Sequence, residues 1–453
     1  MEFNAHIQQL GKIEAATILV KPLTIIAGEN GCGKSFATKS LYSVLGALNT
    51  DHVTSLINNF LRFVLVKTDE FKDILRSPSA ADREFIDFLI DNIIPELEQL
   101  MIRAQEADLQ SQRVLGEQVP FSLNEMIRHI DEYVAHRQSV RKMEKPLKVL
   151  VEIRDMLDIT SATLVDHTKT VTRGIAQSLQ DNLKKNFQVR DLKSLLNNKS
   201  TDNASIHIDS IGSLSIGQEG LLEFNFDHMG IDEIQRLDNI IFVDSPVYLK
   251  IRKGLERRGL NALRMNRYLQ GYPQYVDDLY RYLDSEYIDK PDFADLSVEL
   301  QNILEGKLVV GKSGDIDYQT QHGERIPLAL TAMGVSNIGL IELLIRNNII
   351  KRGSFLIIDE PEAHLHPKWQ VVLMEVLYKI ACAGANVIVA THSIDMVKKV
   401  ELLLKQDEHA KDTIALNAMP FCKDEASKPE IEKAANILQQ LSSPFYDMYM
   451  ESM

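Results

Sequence analysis

One segment near the amino terminus carries the residue types that bind a phosphate group. The sequence from 28 to 35, GENGCGKS, matches the pattern G-x-x-x-x-G-K-S. Its glycines allow backbone N–H groups to surround phosphate oxygens, and a helix that begins there adds partial positive charge. Lys34 is then expected to reach the β- and γ-phosphates of a nucleotide, and the Ser35 hydroxyl to hold Mg²⁺. The expected nucleotide-binding residues of this segment are Gly28, Glu29, Asn30, Gly31, Cys32, Gly33, Lys34, Ser35 and Phe36.

A second segment, far along the chain, carries two adjacent acids at the end of an apolar run. The apolar residues 355–358 lead into Asp359 and Glu360. This pattern predicts a buried parallel strand whose carboxyl end points into a ligand crevice. Asp359 is expected to hold Mg²⁺ through water, and Glu360 to accept the proton of an attacking water. Taken alone, the two acids fit a surface turn equally well, but the phosphate-binding segment favours the catalytic interpretation.

Two further segments fit the same crevice. His392 follows the strand-like run 386–391 and can hydrogen-bond a γ-phosphate or the attacking water. A histidine that only caps the next helix is the alternative. The segment 330–336, LTAMGVS, opens an apolar helix whose free N–H groups can bind an anion. Gly334 and Ser336 are its expected nucleotide contacts.

These residues need strands and helices that bring them together. Short strands are expected before residue 28, and the helix after the glycine-rich segment carries an apolar stripe. Lys34 and Asp359 are 325 residues apart, so a sheet that contains both must be interrupted by a long excursion. From about 50 to 200 the pattern is that of amphipathic helices, and Pro95 is expected to kink or break one of them. The sequence therefore predicts one head that carries insertions.

The expected divisions of the chain follow these changes of pattern. We expect a hairpin between the segments 205–209 and 221–226, a strand at 239–244, and a second hairpin from 307–310 and 315–320. The predicted divisions are 1–48 with 306–400 as two parts of the head, 49–200 as a helical insertion, 201–250 as the hairpin and strand of the head, 251–305 as a helical lid segment, and 401–453 as the carboxyl-terminal segment of the head.

Composition limits the class of protein. Lys and Arg number 50 against 64 Asp and Glu, a formal charge of −14, which argues against a protein coated in nucleic acid. The 3 cysteines form no C-x-x-C pair, which argues against a disulfide scaffold or a structural zinc site. The amino terminus has no apolar core of signal-peptide length, and no apolar run approaches the ~20 residues of a membrane span. We expect a cytoplasmic protein with no membrane partner.

As a set, the motifs resemble those of ABC-type ATPases, in the subgroup of the RecF, Rad50, SMC and OLD proteins. The resemblance rests on GENGCGKS, LTAMGVS, IIDEPEAHLHP and ATHS, in that order. It implies an α/β fold, namely a P-loop ABC-type ATPase head with large helical insertions, which uses ATP and Mg²⁺. It also implies that 362–366 is the D-loop, that His392 is the switch histidine, and that 330–336 is the signature motif. In this family the signature closes the ATP site of a second subunit, so Gly334 of one copy would face Lys34 of the other in a homodimer.

The chain departs from that pattern in the signature segment. The family usually has serine and glycine where this chain has Thr331-Ala332-Met333. The bulky Met333 predicts weak or slow hydrolysis. The glutamine loop of the family is not placed, because the helical insertion falls where it would be.

A narrower resemblance is carried by the segment 349–370, IIKRGSFLIIDEPEAHLHPKWQ. It resembles stand-alone ATPases of bacterial anti-phage defence, the Septu type of the PtuA family. Such proteins are typically encoded beside a separate nuclease, often of the HNH type, and assemble with it into large complexes, which implies an oligomer larger than the dimer. The resemblance implies a sensor or regulatory subunit that controls a nuclease through ATP-dependent assembly. The alternative is a RecF- or Rad50-like DNA-repair clamp that acts directly on DNA; the nucleotide-binding subunit of a membrane transporter fits less well.

A basic run is the best candidate for a nucleic-acid contact. Its members, opposed only by Glu256, are Lys250, Arg252, Lys253, Arg257, Arg258, Arg264 and Arg267. A solvated helix face is an equally good interpretation. The tyrosines that follow this run, between 268 and 282, can stack on bases, but on packed helices tyrosine is more often a core residue. We reject a zinc site at His364 and His366, because both belong to the D-loop motif.

Overall fold

A computed structural model describes residues 1–75, 78–106, 109–198, 202–245, 247–250, 271–283, 290–311, 314–422 and 427–451. The chain divides into two compact units: residues 1–49 with 179–453, called the head below, and residues 50–178, called the helical unit. In chain order, the strands are β1 (Phe3–Leu10), β2 (Ile13–Val20), β3 (Leu23–Gly28), β4 (Ala204–Ile208), β5 (Gly212–Ile216), β6 (Leu222–Phe226), β7 (Ile240–Val243), β8 (Gly306–Val310), β9 (Ile316–Thr320), β10 (Arg325–Pro327), β11 (Phe355–Asp359), β12 (Asn386–Thr391) and β13 (Ile414–Met419).

The helices follow the division into two units. Those that begin in the helical unit are α2 (His52–Ile74), α3 (Ala80–Phe88), α4 (Ile94–Glu106), α5 (Leu109–Arg137), α6 (Glu144–Val165) and α7 (His167–Phe187), the last of which continues into the head. Those of the head are α1 (Lys34–Asn49), α8 (His228–Gln235), α9 (Gln274–Leu283), α10 (Ala294–Leu304), α11 (Met333–Arg346), α12 (Pro367–Cys382), α13 (Ile394–Gln406), α14 (Ala410–Thr413) and α15 (Glu430–Glu451).

A parallel sheet with the strand order β13-β3-β12-β11-β7 forms the core of the head. Its strands β3, β11 and β12 are apolar runs that are buried from end to end, as is typical of strands covered on both faces. β3 lies between β13 and β12 and runs parallel to both. The glycine-rich segment, which follows β3, therefore lies at the same edge of the sheet as the segments that follow β11 and β12. The structure confirms the predicted α/β head interrupted by insertions.

A second, antiparallel sheet has the order β2-β1-β4-β5-β6. The predicted hairpin between 205–209 and 221–226 is wrong in its pairing, because β5 lies between these segments and pairs with both. The small residues of β5, GSLSI, do not mark it as a strand in the sequence. The predicted hairpin from 307–310 and 315–320 is confirmed by β8 and β9, and β10 adds a further strand to it.

The helical unit has a core of its own. In it α2 packs against α4 and α6, and α5 packs against α6. The rings of Phe71, Phe85 and Tyr133 meet there, with centroids 3.9 to 6.5 Å apart. Pro95 lacks an N–H group for the helical hydrogen-bond ladder, and a π-helical turn at Leu89–Ile93 precedes it. The chain continues through this turn into α4, so it does not break at Pro95, and the expected kink stays a prediction.

Candidate functional site

The glycine-rich segment forms the turn between β3 and α1. Gly31 and Gly33 have φ values of +78° and +107°, which residues with a side chain rarely adopt. Lys34 is 4% exposed, and its Nζ donates to the carbonyl oxygens of Gly28 and Glu29 at 2.9 and 2.8 Å. The turn therefore holds a buried ammonium group at the start of a helix, where backbone N–H groups are also free to meet an anion.

Asp359 ends β11 as a buried carboxylate. It is 3% exposed, and its Oδ1 has no hydrogen-bond partner among the described residues. Burial raises the pKa of Asp359 to about 6; a hydrogen bond from Ser35 opposes this shift, and the charge of Asp244 adds to it. A buried carboxylate with an unpartnered oxygen, beside a hydroxyl group, fits a hard divalent cation such as Mg²⁺. The structure thus brings together the two predicted metal residues, Ser35 and Asp359.

Glu360 and His392 lie side by side, just after β11 and β12. Nδ1 of His392 is 3.6 Å from Oε1 of Glu360 and 3.1 Å from Oε1 of Glu362. Neither approach has hydrogen-bond geometry, and this Nδ1 is buried without a partner among the residues that the structure describes. Glu360 has a φ of +49°, a left-handed conformation that costs about 1 kcal/mol in a residue with a side chain. Its side chain is 42% exposed and can therefore reach a water molecule at the edge of the sheet.

Glu362 is a site residue that sequence reasoning noted only as part of the D-loop. Although it is a carboxylate, it is 5% exposed. Its Oε1 accepts hydrogen bonds from the hydroxyl of Thr391 at 2.7 Å and from the backbone N–H of His392 at 2.6 Å. The motif EPEAH was the available signal, but the pattern does not indicate that this side chain turns inward. Glu362 fixes the chain where His392 leaves β12.

Asp244 is a residue beside the site that sequence reasoning missed. It follows β7, the neighbour of β11 in the sheet, and its Oδ2 accepts a hydrogen bond from the hydroxyl of Tyr275 at 2.8 Å. Nζ of Lys39, one helical turn after Ser35, lies 3.6 Å from the same oxygen. An acid at the end of an apolar strand was the available signal, since the same pattern marks Asp359.

The predicted signature segment lies at the start of α11. Leu330 is 77% exposed, and α11 begins at Met333 without a side-chain cap. Gly334 is half-buried, whereas Ser336 is fully buried and its hydroxyl donates to the carbonyl oxygen of Ala332 at 3.4 Å. A ligand that approaches this helix start would therefore meet Gly334 before Ser336.

Most of the basic run, from 251 to 267, lies outside the described residues. Its first member, Lys250, donates from Nζ to the carbonyl oxygen of Thr331 at 2.7 Å. Tyr275 and Tyr280 are 3% and 6% exposed, which agrees with a role in the core. His366 caps α12 by accepting a backbone N–H at 3.2 Å.

Two features are not found among the described residues. Across these parts of the chain, no group of three or more His, Cys, Asp or Glu side chains is arranged to hold a metal ion. Within the same ranges, no helix combines the length and the apolar character needed to cross a membrane.

Known proteins are similar to this chain at the level of sequence. A family model described as an AAA ATPase domain matches residues 4–397. The DNA double-strand break repair Rad50 ATPase of Saccharolobus solfataricus is 24% identical over 162 residues, which cover 35% of this chain and 18% of that protein. The matched part is thus less than a fifth of the relative's length.

Solved structures of SMC heads are similar over most of the chain. An Smc head bound to the C-winged helix domain of ScpA covers 88% of this chain and 91% of its own, with a TM-score of 0.38 and 10% identity. The SMC head domain from Thermotoga maritima covers 88% and 92%, with a TM-score of 0.34 and 10% identity.

Proposed function

This chain belongs to the AAA ATPase domain family, and we propose that it binds ATP with Mg²⁺ and hydrolyses the bond to the γ-phosphate. One observation carries the proposal: predicted residues that are far apart in the chain meet at one edge of a parallel sheet. These residues are Lys34, Ser35, Asp359, Glu360 and His392. Their types are those needed to bind phosphate, hold a cation and move a proton.

Lys34 and the glycine-rich turn bind the phosphates. The ammonium group now bonds to the carbonyl oxygens of Gly28 and Glu29. It exchanges them for phosphate oxygens, because a hydrogen bond between two charged groups is the stronger one. Ser35 and Asp359 hold Mg²⁺, which when bound neutralises charge on the β- and γ-phosphate oxygens.

Glu360 and His392 act on the attacking water and on the γ-phosphate. The exposed carboxylate of Glu360 accepts the proton of the water. A well-placed general base raises the reaction rate by about 10²- to 10⁴-fold. His392 directs Nδ1 towards two carboxylates, which leaves Nε2 for the γ-phosphate or the water. Met333, where the family has a small residue, slows this reaction.

The active form in this proposal is a homodimer that shares its ATP sites. Gly334 of one copy approaches the ATP held by Lys34 of the other. The support is the resemblance of 330–336 to the signature motif and the exposure of Leu330 within it. A γ-phosphate that contacts both copies shifts the equilibrium between the open and the closed dimer only to the extent that it binds the two forms with different affinities.

The finer role we propose is that of a sensor or regulatory subunit of an anti-phage defence complex. Closure of the dimer on ATP would control a separate nuclease, of the HNH type. The support is the resemblance of the segment 349–370 to Septu-type ATPases. The test is to tag the chain in its native operon, purify it gently and identify the proteins that accompany it. A stoichiometric neighbour with a nuclease motif is the expected result.

The second candidate is a Rad50-like clamp that acts directly on DNA, and the sequence match to a Rad50 ATPase favours it. Arg252 to Arg267 would then form the DNA contact. In that case the purified chain binds duplex DNA in a salt-dependent way, and neutralising Arg257, Arg258 and Arg264 together removes the binding. Isolation of the chain alone or with DNA would replace the defence role by this one.

A further inference from the structure

Asp244 and Asp359 stand at the same level on adjacent strands of the parallel sheet. β7 and β11 run parallel with Val243 opposite Ile358, so the next residue on each strand is an aspartate. Neighbouring strands lie about 4.8 Å apart, and side chains at one level of a parallel pair project to the same face. The two carboxyl groups therefore share one face of the sheet, at its ligand-binding edge.

The partners of these carboxylates leave oxygens for another ligand. Tyr275 and Lys39 both contact Oδ2 of Asp244, at 2.8 and 3.6 Å. The hydrogen bonds found among the described residues thus leave its Oδ1 for a further contact. Asp359 is only 3% exposed, and its Oδ1 has no hydrogen-bond partner in the described parts of the chain. Such an anionic oxygen is costly to bury unless a cation or a proton satisfies it.

A small cavity lies where β7 and β11 end, and Val243 and Ile358 help to line it. It has a volume of about 20 Å³, and both Asp244 and Glu360 line it, together with Asn337 and apolar side chains. This is room for about one water molecule. Asp244 therefore lies near the residue proposed as general base, Glu360, as well as near Asp359.

We propose that Asp244 is a ligand of the divalent cation, held jointly by Ser35, Asp359 and Asp244. Two carboxylates and a hydroxyl form the oxygen-rich set that Mg²⁺ and Mn²⁺ prefer. The inference rests on the proposed binding of ATP and Mg²⁺. It adds an acid that lies 115 residues before Asp359 in the chain and that none of the motifs contains.

Mn²⁺ binding tests this assignment in the full chain. Free Mn²⁺ is measured by electron paramagnetic resonance in the presence of a non-hydrolysable ATP analogue. Asp244→Asn should weaken the Mn²⁺ affinity by about 10- to 100-fold, while the affinity for the analogue in excess EDTA stays that of the wild type. Asp238→Asn is the matched control, because Asp238 precedes the same strand at its opposite end and pairs with Lys351 at 2.8 Å. It should leave the Mn²⁺ affinity unchanged.

A thiolate substitution separates ligation from a simple loss of charge. Asp244→Cys should lose Mn²⁺ and gain Cd²⁺, because a thiolate prefers the softer cation. The readout is a cadmium–thiolate absorption band in the ultraviolet, above the baseline of the wild type with its own cysteines. Tyr275→Phe keeps the carboxylate and loses only the hydroxyl contact, so its Mn²⁺ affinity should match the wild type.

The outcomes distinguish the inference from the function on which it rests. Wild-type Mn²⁺ affinity in Asp244→Asn, or the lack of a cadmium band in Asp244→Cys, would overturn the assignment of Asp244 and leave the ATPase proposal standing. Loss of nucleotide binding by Asp244→Asn in EDTA would show a structural role and overturn it too. A wild-type chain that binds no ATP analogue would instead overturn the proposed function.

Discussion

The carboxylate of Glu362 and the backbone of His392 are joined by a hydrogen bond of 2.6 Å. The same oxygen accepts the hydroxyl of Thr391 at 2.7 Å and lies 3.1 Å from Nδ1 of His392. One buried oxygen thus ties the turn after β11 to the end of β12. Glu362 acts as a positioning residue, because its buried carboxylate holds the chain that carries His392.

Removing that carboxylate should loosen the site and destabilise the head. Glu362→Ala leaves the hydroxyl of Thr391 and the N–H of His392 without their partner, so we expect a loss of about 3 kcal/mol in the free energy of unfolding. Glu362→Gln keeps an acceptor oxygen and should lose much less. Urea denaturation followed by circular dichroism measures both. Glu375→Ala removes a half-exposed acid of α12 and should cost under about 1 kcal/mol; equal losses in the 362 and 375 alanine variants would contradict the positioning role.

Lys34 should be essential for nucleotide binding. Lys34→Ala removes the buried ammonium group that Gly28 and Glu29 hold beside the helix start. A charge-assisted bond of this kind contributes up to about 3 kcal/mol, so the affinity for ATP should fall by about 100-fold. Isothermal titration with a non-hydrolysable analogue measures it. Lys351→Ala, which breaks a surface pair with Asp238, is the control. Tight binding by Lys34→Ala would refute the assignment of the phosphate site.

The only tryptophan should report closure of the proposed dimer. Trp369 is half-buried near the start of α12, directly after the D-loop. Glu360→Gln removes the general base and should trap the ATP-bound dimer, so ATP should change the Trp369 emission lastingly in this variant and transiently in the wild type. Light scattering after gel filtration gives the mass in parallel. An emission change that Lys34→Ala retains would show that the signal does not come from bound ATP.

Acid stability of the helical unit should depend on Asp82. Its carboxylate accepts hydrogen bonds from the hydroxyl of Tyr133 and the backbone N–H of Ser79, both at 2.7 Å, and contacts the guanidinium of Arg137. Burial alone would raise the pKa of Asp82, but these hydrogen bonds lower it to about 2 from 3.8. The unfolded chain therefore binds more protons between these values, and the stabilisation, present above pH 4, is lost as the pH falls towards 2.

The shift in the pKa of Asp82 corresponds to about 2 kcal/mol of stability at neutral pH. Asp82→Asn should lower the free energy of unfolding by about 2 kcal/mol at neutral pH. It should also flatten the dependence of that free energy on pH between 4 and 2, as measured by unfolding of the full chain in urea. Asp69→Asn is the control, since Asp69 is 76% exposed in a surface pair with Lys72 and should change the stability by under about 1 kcal/mol. Parallel pH curves for wild type and Asp82→Asn would contradict the prediction.

The part of the site that could be predicted is local in the chain. Lys34 and Ser35 require only a strand, a glycine-rich turn and a helix, which are consecutive in sequence. Asp359 and His392 each follow a strand-like run of a parallel sheet, and such strands end at one edge. The α/β class follows from the same runs.

The rest depends on neighbours that local patterns do not show. β13 pairs with β3 across 391 residues, from Leu23 to Ile414, and a Cβ on Gly28 would lie 2.0 Å from the carbonyl oxygen of Met419. Nothing near Gly28 indicates that approach. Asp244 ends an apolar run like that of β11, but only the strand order places it beside Asp359. The strand β5 was missed because its alternating small residues are weak strand formers.

The position of β3 in its sheet bears on how the protein is made. Both of its neighbours, β12 and β13, are translated after residue 385, whereas β3 and Lys34 leave the ribosome before them. Until those later strands arrive, β3 has neither of the partners between which it is buried, and long-range pairing of this kind is slow. A product that stalls before residue 386 would therefore display the glycine-rich loop without a pocket. ATP binding would then distinguish chains that contain β12 and β13 from shorter ones.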